Sequence, residues 1–486
     1  AVIGPNADQW LMLLGNYNGV PSDPITPLRG IREKLSADKV IYAQGCEVAE
    51  GIPSFETVPT EALSHEGQQG LKVDYYNNRE LKGNPLYSSV DANVDANWYD
   101  KSPRKDMDDD NFGVRWTGEI TAVESGMYQL GMITTCKVNL YLDDSIIAKT
   151  IYNFRDEFGD PRLRKSIPIK LEAGKKYKLK VEAGESYADA QVQLVWAKPR
   201  HDSKEALKKQ AIDAAMQADA VVLCMGLTAR LEGEEMDINI DGFNKGDRTK
   251  LDLPIIQEQL IKEIVATGKP VILVLLNGSA VSVNWENANV PAIVEAWYPG
   301  QAAGQAIADV LFGDYNPGGK LPVTFYHSVN DLPSFSDYNL TTQTYRYFKG
   351  DPLYPFGYGL SYTSFQYDNL KINSQYKGGE DIKLSVNIKN TGTVAGDEVV
   401  QVYVSAKNMT GHIPIRSLEA FKRIHLNAGE SKTVELTIRA NAFSFINDDN
   451  QRKVVPGAYE VTIGGGQPDV KIKTSSNVLR SQVTIQ

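Results

Sequence analysis

The chain has 486 residues, too many for a single hydrophobic core, and its length suggests about three domains. Hydrophobic residues make up 42 % and charged residues 23 %, as is typical of globular proteins. The formal net charge of −10 argues against nucleic acid or an anionic membrane as the main partner, because phosphate binding needs a basic surface. No apolar run approaches the roughly 18 residues that a membrane span needs.

The first residues and those after residue 200 alternate apolar strands with helices. Thr26 is predicted to cap a helix that begins at Pro27 and contains LRGIREKL. Further predicted helices are KEALKKQAIDAAMQA, LDLPIIQEQLIKEIVATG and QAAGQAIADVLFG, and predicted strand runs are AVI, KVIYAQGC, DAVVLCMG, PVILVLLN, AIVEAWYPG and KLPVTF. Strands that are apolar on both faces indicate a mostly parallel sheet with flanking helices, an α/β sandwich spanning residues 1–67 and 199–330. Because a chain seldom starts inside a core strand, we expect a further segment to precede AVIGPNA.

Two other regions have the alternating pattern of antiparallel β-structure. Residues 68–198 contain GLKVDYYNN, VRWTGEITAVESGMYQLGM and AQVQLVW, which predict an inserted all-β sandwich. Residues 365–486 predict an immunoglobulin or fibronectin III-like β-sandwich of about seven strands. Between the α/β sandwich and this last domain, residues 331–364 have no clean period and are expected to be a linker that packs on a surface.

The cysteines and histidines offer no metal or cofactor site. Cys46, Cys136 and Cys224 have neither disulfide-like nor zinc-like spacing, and Cys224 within DAVVLCMG is expected to be a buried thiol. None of the five histidines stands in a triad motif. We therefore expect no cofactor and no metal ion.

The densest group of carboxylates is RLEGEEMDINIDGFNKGDR, which directly follows the strand DAVVLCMG. Ligands of open α/β sheets bind beyond the carboxyl ends of the strands, so the position favours function. Crowded carboxylates also suit general acid catalysis, because each negative charge opposes ionisation of its neighbours. The alternative is a solvated acidic loop, which is what most charge runs are.

Several long strings resemble glycoside hydrolase family 3 in its C-terminal part. They are AVIGPNAD, YAQGC, GEEM…GDR…LDLPIIQEQL, AWYPGQAAGQAIADVLFGDYNPGGKLPVTF, YRYF…DPLYPFGYGLSYT, NTGTVAGDEVVQVYV and SLEAFKRIHLNAGES. The insert resembles the protective-antigen-type β-sandwich of some members, which is implied to bind sugars or to wall the active-site pocket, although it is equally compatible with a decoration. Asp143 and Asp144 form an acidic pair that is read either as a calcium site or, more simply, as a turn.

The resemblance implies a retaining, exo-acting β-glycosidase, a β-glucosidase first and a β-xylosidase next. The family's general acid/base Glu aligns best with Glu234, and Glu235 and Glu232 remain alternatives. The family's Asp nucleophile belongs to an N-terminal (β/α)8 barrel that is absent from this chain, so the chain alone is expected to be inactive.

Further expectations concern partners, location and the aromatic residues. The expected partners are that barrel and an oligosaccharide or an aryl or alkyl β-glycoside. A periplasmic or secreted location is expected, although no signal peptide is visible. A carbohydrate-binding or adhesion protein that uses the insert is the alternative. Trp297 and Tyr298 either line a sugar site or, by preference, pack a loop on the core.

Overall fold

The computed structural model describes residues 1–19, 21–50, 52, 55–99, 101–150, 163–185, 190–199, 204–233, 238–409, 412–446 and 449–486. Their contacts divide the chain into two compact units. The first unit comprises residues 1–248, 254–278 and 291–303, and the second comprises residues 249–253, 279–290 and 304–486. The architecture is mixed α/β with many strands and few helices.

The first unit contains a five-stranded, fully parallel sheet, which we call the parallel sheet. Its strands in spatial order are Tyr42–Ala43, Val2–Ile3, Val221–Gly226, Val271–Leu276 and Ala292–Glu295. The runs VVLCMG and VILVLL form two strands that are almost entirely buried, as is typical of inner strands of a parallel sheet. Cys224 is fully buried, as the sequence predicts.

The helices begin and end close to their sequence signals. Thr26 accepts a hydrogen bond at its Oγ1 from the Arg29 N–H, 3.2 Å away, and Pro27 is the first helical residue. Within the described residues the α-helices are Pro27–Leu35, Lys204–Gln217, Ile255–Val265, Asn284–Asn289, Ala303–Phe312 and Thr344–Tyr347. Helix Ile255–Val265 is followed by Gly268, whose φ of +75° closes the turn, as predicted. None of the helices in the described ranges is both long and apolar enough to cross a membrane.

The predicted strand KLPVTF does not form. Residues 320–325 contain only an isolated bridge between Phe325 and Tyr354, together with backbone hydrogen bonds from Leu321 to Tyr358 and from Gly357 to Leu321. Pro322 has no amide hydrogen and so interrupts a regular ladder. The prediction failed because it gave the apolar pattern of KLPVTF more weight than Pro322.

Two antiparallel sheets of the first unit contain the strands from Glu56–Thr57 to Ala190–Ala197, so they begin before residue 68, where the predicted insert starts. One contains Glu56–Thr57, Asp95–Tyr99, Gly126–Thr134, Leu163–Lys165, Ile169–Leu171 and Ala190–Ala197. The other contains Leu63–His65, Gln68–Gln69, Leu71–Tyr76, Tyr87–Asp91, Gly113–Thr121, Lys137–Leu142, Ser145–Lys149 and Lys176–Gly184. Both contribute to one hydrophobic core that includes Trp116, Tyr128 and Trp196. The domain limits and the protective-antigen-type identity of the insert remain predictions.

The second unit carries the C-terminal β-domain. Its strands are Phe365–Lys371, Gln375–Tyr376, Ile382–Asn390, Gly396–Ala406, Ser417–Leu426, Ser431–Ile438, Ser444–Ile446, Arg452–Val454, Gly457–Gly464 and Val478–Ile485. They form sheets of three, five and two strands, and the apolar residues from them share one core. In the segment before this domain, the Tyr345 ring stacks on Phe356 at 4.2 Å and meets Tyr403 edge-on at 6.1 Å. The aromatic run around Tyr345 therefore packs against the C-terminal β-domain.

Candidate functional site

The carboxyl end of strand Val221–Gly226 is held by close backbone packing and by one buried side chain. Gly226 has a φ of +140°, and a Cβ atom there would lie 2.0 Å from the Leu276 carbonyl oxygen. The buried Gln257 accepts the Gly226 N–H at 2.8 Å and donates to the carbonyl oxygens of Gly226 and Val48 at 2.7 and 2.6 Å. These contacts fix the backbone of Gly226, from which the following loop starts.

Residues 227–248, which we call the acidic loop, contain the carboxylate cluster. The Leu231 and Glu232 amides both donate to the Thr228 carbonyl oxygen, at 2.8 and 3.1 Å, so the loop begins with a tight turn. It ends in three short antiparallel strands, Asn239–Ile240, Phe243–Asn244 and Asp247–Arg248. The candidates Glu234 and Glu235 lie outside the described residues. Asp241 and Asp247 are exposed, so the description of a solvated loop fits those two carboxylates.

Glu232 joins the acidic loop to the ends of two other strands of the parallel sheet. Its Oε1 accepts the Gly278 N–H at 2.6 Å and the Tyr298 O–H at 2.5 Å. Gly278 follows strand Val271–Leu276 and Tyr298 follows strand Ala292–Glu295. Three parallel strands thus deliver these three groups to the same edge of the sheet, as expected of carboxyl ends in an open α/β sheet.

A second carboxyl group, Glu295, ends the next strand at that edge. Its Oε1 accepts the Trp297 N–H at 3.1 Å, whereas its Oε2 is inaccessible to water and has no hydrogen-bond partner among the described residues. Burial, with a smaller contribution from the charge of Glu232, raises the pKa of Glu295 to about 8, against the lowering effects of the Trp297 amide and the Asn277 side chain. At neutral pH this carboxyl is mostly protonated.

The aromatic residues after Glu295 have distinct roles. Trp297 has a φ of +56°, a left-handed conformation that is uncommon for a residue with a bulky side chain and is often found at functional sites. The pKa of the Tyr298 hydroxyl is raised by burial, by the charge of Glu232 and by the hydrogen bond to it. Tyr298 therefore stays a hydrogen-bond donor at any pH near neutral. It connects the segment after strand Ala292–Glu295 to the acidic loop, a contact that the sequence did not predict.

Two arginines bring positive charge to the acidic loop. Burial lowers the pKa of Arg230 to about 10, so its guanidinium remains charged at neutral pH. Arg248 ends the loop, and its charge opposes the rise in the pKa of Tyr298. The edge of the sheet therefore combines carboxylates, one protonated carboxyl and cations, which is the mixture that proton-transfer chemistry uses.

The acidic pair in the insert has the geometry of a turn. Asp143 and Asp144 connect strands Lys137–Leu142 and Ser145–Lys149 with φ values of +46° and +65°. The Asp143 Oδ1 accepts the Lys178 N–H at 2.9 Å, and the Lys178 ammonium lies 3.4 Å from Asp144. Among the described residues, no group of three or more potential metal ligands is found.

Sequence reasoning missed the contributions of Gly278 and Glu295. Gly278 stands directly after the predicted strand PVILVLLN, and Glu295 lies within the run AIVEAWYPG. In the sheet, the strands of these two runs follow the strand of DAVVLCMG in order. The rule that carboxyl ends of neighbouring parallel strands meet at one edge could have identified them as candidates.

Comparison with known proteins gives two family matches. Residues 1–362 match the glycosyl hydrolase family 3 C-terminal domain, and residues 398–467 match the fibronectin type III-like domain. The second match falls within the C-terminal β-domain and agrees with its predicted class.

Individual relatives agree with these matches. A xylan 1,4-beta-xylosidase of Xylanibacter ruminicola is 35 % identical over 97 % of this chain and 54 % of its own length. A beta-xylosidase of Formosa agariphila is 40 % identical over 55 % of this chain and 36 % of its own length. The structure of a beta-glucosidase from Kluyveromyces marxianus in complex with glucose aligns with a TM-score of 0.72 at 28 % identity, covering 99 % of this chain and 58 % of that one. This chain spans about half the length of the relatives that it matches from end to end.

Proposed function

Because this chain belongs to glycosyl hydrolase family 3, we propose that it is the C-terminal part of a retaining, exo-acting β-glycosidase. In this proposal Glu234 is the general acid/base, and an Asp on a preceding (β/α)8 barrel is the nucleophile. Retaining hydrolysis needs two carboxyl groups about 5–5.5 Å apart on opposite sides of the scissile bond. The chain alone would then carry half of the mechanism and be inactive.

The observation that supports this assignment is the attachment of Glu232. Its Oε1 already accepts hydrogen bonds from Gly278 and Tyr298, so this oxygen is directed into the protein. We therefore assign Glu232 to holding the loop, which leaves Glu234 and Glu235, and of these two Glu234 aligns better with the family's acid/base Glu. The loop starts at the carboxyl ends of parallel strands, where ligands of open α/β sheets bind.

The proposed reaction has two steps. In the first, the Glu234 carboxyl gives its proton to the glycosidic oxygen while the Asp carboxylate bonds to the anomeric carbon, and the aglycone leaves as an alcohol. In the second, the Glu234 carboxylate takes a proton from water as the water oxygen attacks the anomeric carbon and releases the Asp. Two inversions give net retention.

The substrate class is a terminal β-linked xylose or glucose. The family resemblance favours β-glucosides first, but the relatives at 35 % and 40 % identity are named as β-xylosidases, so β-xylosides are the substrates to test first. The groups that recognise the terminal sugar would lie mainly on the barrel.

The first test compares turnover of aryl β-xyloside and aryl β-glucoside by the 486-residue chain and by the same chain joined to its preceding barrel. We expect turnover only by the extended chain. Turnover by the short chain would mean that both carboxyl groups lie within these residues. Binding of xylo-oligosaccharides by the extended chain without any turnover would favour the alternative of a carbohydrate-binding or adhesion protein.

The second test uses Glu234→Gln, Glu235→Gln and Glu232→Gln in the extended chain. We expect Glu234→Gln to reduce kcat/KM by about 10²–10⁴ for a substrate with a poor leaving group, as loss of a general acid does. Glu235→Gln serves as the matched control and should stay near the parent value. Near-normal turnover by Glu234→Gln would remove Glu234 from the mechanism.

A further inference from the structure

We infer that Tyr298 and Gly278 are positioning residues that hold Glu232 and thereby set the place of the proposed acid/base, Glu234. This inference rests on the proposed function. It adds two residues that never touch the sugar but act on the proton transfer through Glu232.

Two short hydrogen bonds attach Glu232 to Gly278 and Tyr298. The Glu232 Oε1 lies 2.6 Å from the Gly278 nitrogen and 2.5 Å from the Tyr298 hydroxyl oxygen. Such bonds to a carboxylate are charge-assisted and stronger than those between neutral groups. The backbone of Glu232 is also fixed, because the Leu231 and Glu232 amides both donate to the Thr228 carbonyl oxygen. Glu232 is thus restrained by backbone and side chain together.

Gly278 leaves room for the Glu232 carboxylate and the Tyr298 ring because it has no side chain. A Cβ atom on this residue would lie 2.6 Å from the Tyr298 ring and 2.9 Å from the Glu232 Oε1. Both distances are shorter than real Cβ contacts, so an alanine at this position would displace the Glu232 carboxylate or the Tyr298 ring. The absence of a side chain at residue 278 is therefore part of the attachment.

Glu232 and the proposed acid/base, Glu234, are close in the sequence. Glu234 follows Glu232 by only two residues in the sequence, so a displacement of Glu232 reaches it over a short length of chain. A general acid must lie within hydrogen-bond reach of the leaving oxygen, and a misplacement of about 1 Å can reduce the rate 10²-fold. Loosening Glu232 is therefore expected to impair proton transfer without removing the acid.

The test is Tyr298→Phe in the extended chain, which removes one hydroxyl and keeps the ring. Protonation matters most when the leaving group is a poor one, so kcat/KM is compared for 2,4-dinitrophenyl β-xyloside and for xylobiose. We expect a loss of about 10- to 100-fold with xylobiose and less than about threefold with the activated substrate. Gly278→Ala should give the same pattern through displacement of Glu232.

The matched control is Tyr367→Phe. Tyr367 is also buried and also donates to a glutamate, the Glu398 Oε1 at 2.8 Å, but it belongs to the C-terminal β-domain of the second unit. It should change the ratio between the two substrates by less than about twofold. An equal loss on both substrates in Tyr298→Phe would indicate a merely structural role and overturn the inference, as would no loss on either.

Glu234→Gln separates this inference from the proposed function. If Glu234→Gln shows the dependence on the leaving group and Tyr298→Phe does not, the positioning role is wrong and the acid/base assignment stands. If Glu234→Gln lacks that dependence, the assignment of Glu234 itself is wrong, and the positioning role fails with it.

Discussion

Glu295 and Glu232 stand at the same edge of the parallel sheet, and burial together with the charge of Glu232 keeps Glu295 largely protonated at neutral pH. Glu232 receives two hydrogen bonds at one oxygen, whereas Glu295 receives the Trp297 amide and leaves Oε2 in a dry environment. Two neighbouring carboxyl groups thus have different environments. Such a difference is what divides acid from base roles at catalytic sites.

The first prediction concerns Glu295→Gln and the pH dependence of stability. The pKa of Glu295 is about 8 in the folded chain against 4.5 for an ordinary Glu, so between these pH values the folded state keeps a proton that the unfolded state releases. The free energy of unfolding then falls with rising pH by up to about 1.4 kcal/mol per pH unit. Glu295→Gln should flatten this slope between pH 5 and 8 and raise the Tm at pH 8.

Urea unfolding of the 486-residue chain at several pH values measures this slope. Glu172→Gln is the matched control, because Glu172 is exposed and its substitution should leave the pH dependence as it is. A slope that Glu295→Gln does not change would mean that the carboxyl ionises in the folded chain as it does in the unfolded one.

The second prediction compares Gly226→Ala with Gly268→Ala. Both glycines have positive φ values, +140° and +75°, but only at Gly226 would a Cβ atom collide with backbone, 2.0 Å from the Leu276 oxygen. Gly226→Ala should therefore cost more than about 4 kcal/mol or prevent folding. Gly268→Ala should cost only about 1 kcal/mol, from the backbone conformation alone. Similar losses in the two variants, measured by urea unfolding, would show that the close approach at Gly226 relaxes at little cost.

The third prediction is that Gln257→Leu destabilises the first unit. Leucine has a similar size but leaves the Gly226 N–H and the carbonyl oxygens of Gly226 and Val48 without their partner. Each buried polar group left unsatisfied costs about 1–3 kcal/mol, so we expect a total loss of about 3 kcal/mol or more. Gln69→Leu, at an exposed glutamine, should stay within about 0.5 kcal/mol. A loss below about 1 kcal/mol in Gln257→Leu would mean that other groups or water take over these bonds.

Local signals predicted the elements of the parallel sheet well. The runs VVLCMG and VILVLL form buried strands, and Thr26 and Pro27 start a helix, because apolar burial and capping depend on residues that are adjacent in sequence. The strand predicted for KLPVTF failed for an equally local reason, the missing amide hydrogen of Pro322.

The candidate site was less predictable, because its contacts join distant segments. Glu232 is 46 residues before Gly278 and 66 before Tyr298, and no spacing rule connects residues that far apart. The raised pKa of Glu295 depends mainly on burial in the folded chain, whereas in the sequence Glu295 is only one polar residue within AIVEAWYPG. The sequence could identify the loop but not how it is held.

The fourth prediction concerns the buried pair of Lys320 and Glu398 in the second unit. Glu398 is fully buried, and the Lys320 Nζ lies 3.9 Å from its Oε2 while donating to the Gly359 carbonyl oxygen at 2.7 Å. Burial raises the pKa of Glu398 and the charge of Lys320 opposes this rise. Lys320→Met should therefore raise that pKa further and make stability fall more steeply as the pH rises. We expect a loss of about 3 kcal/mol at pH 8 and a smaller loss at pH 5, because a more acidic solution favours the uncharged form of Glu398, which needs no cation.

The double variant Lys320→Met with Glu398→Gln should recover part of the loss at pH 8, because the uncompensated charge is gone. The matched control is Lys407→Met, which removes a half-exposed partner 3.0 Å from the Glu460 Oε1 and should cost no more than about 1 kcal/mol at either pH. Equal losses at pH 5 and pH 8 in Lys320→Met would trace the effect to the lost contact with Gly359 instead of to the charge of Glu398. The pH dependence therefore separates packing from electrostatics at this buried pair.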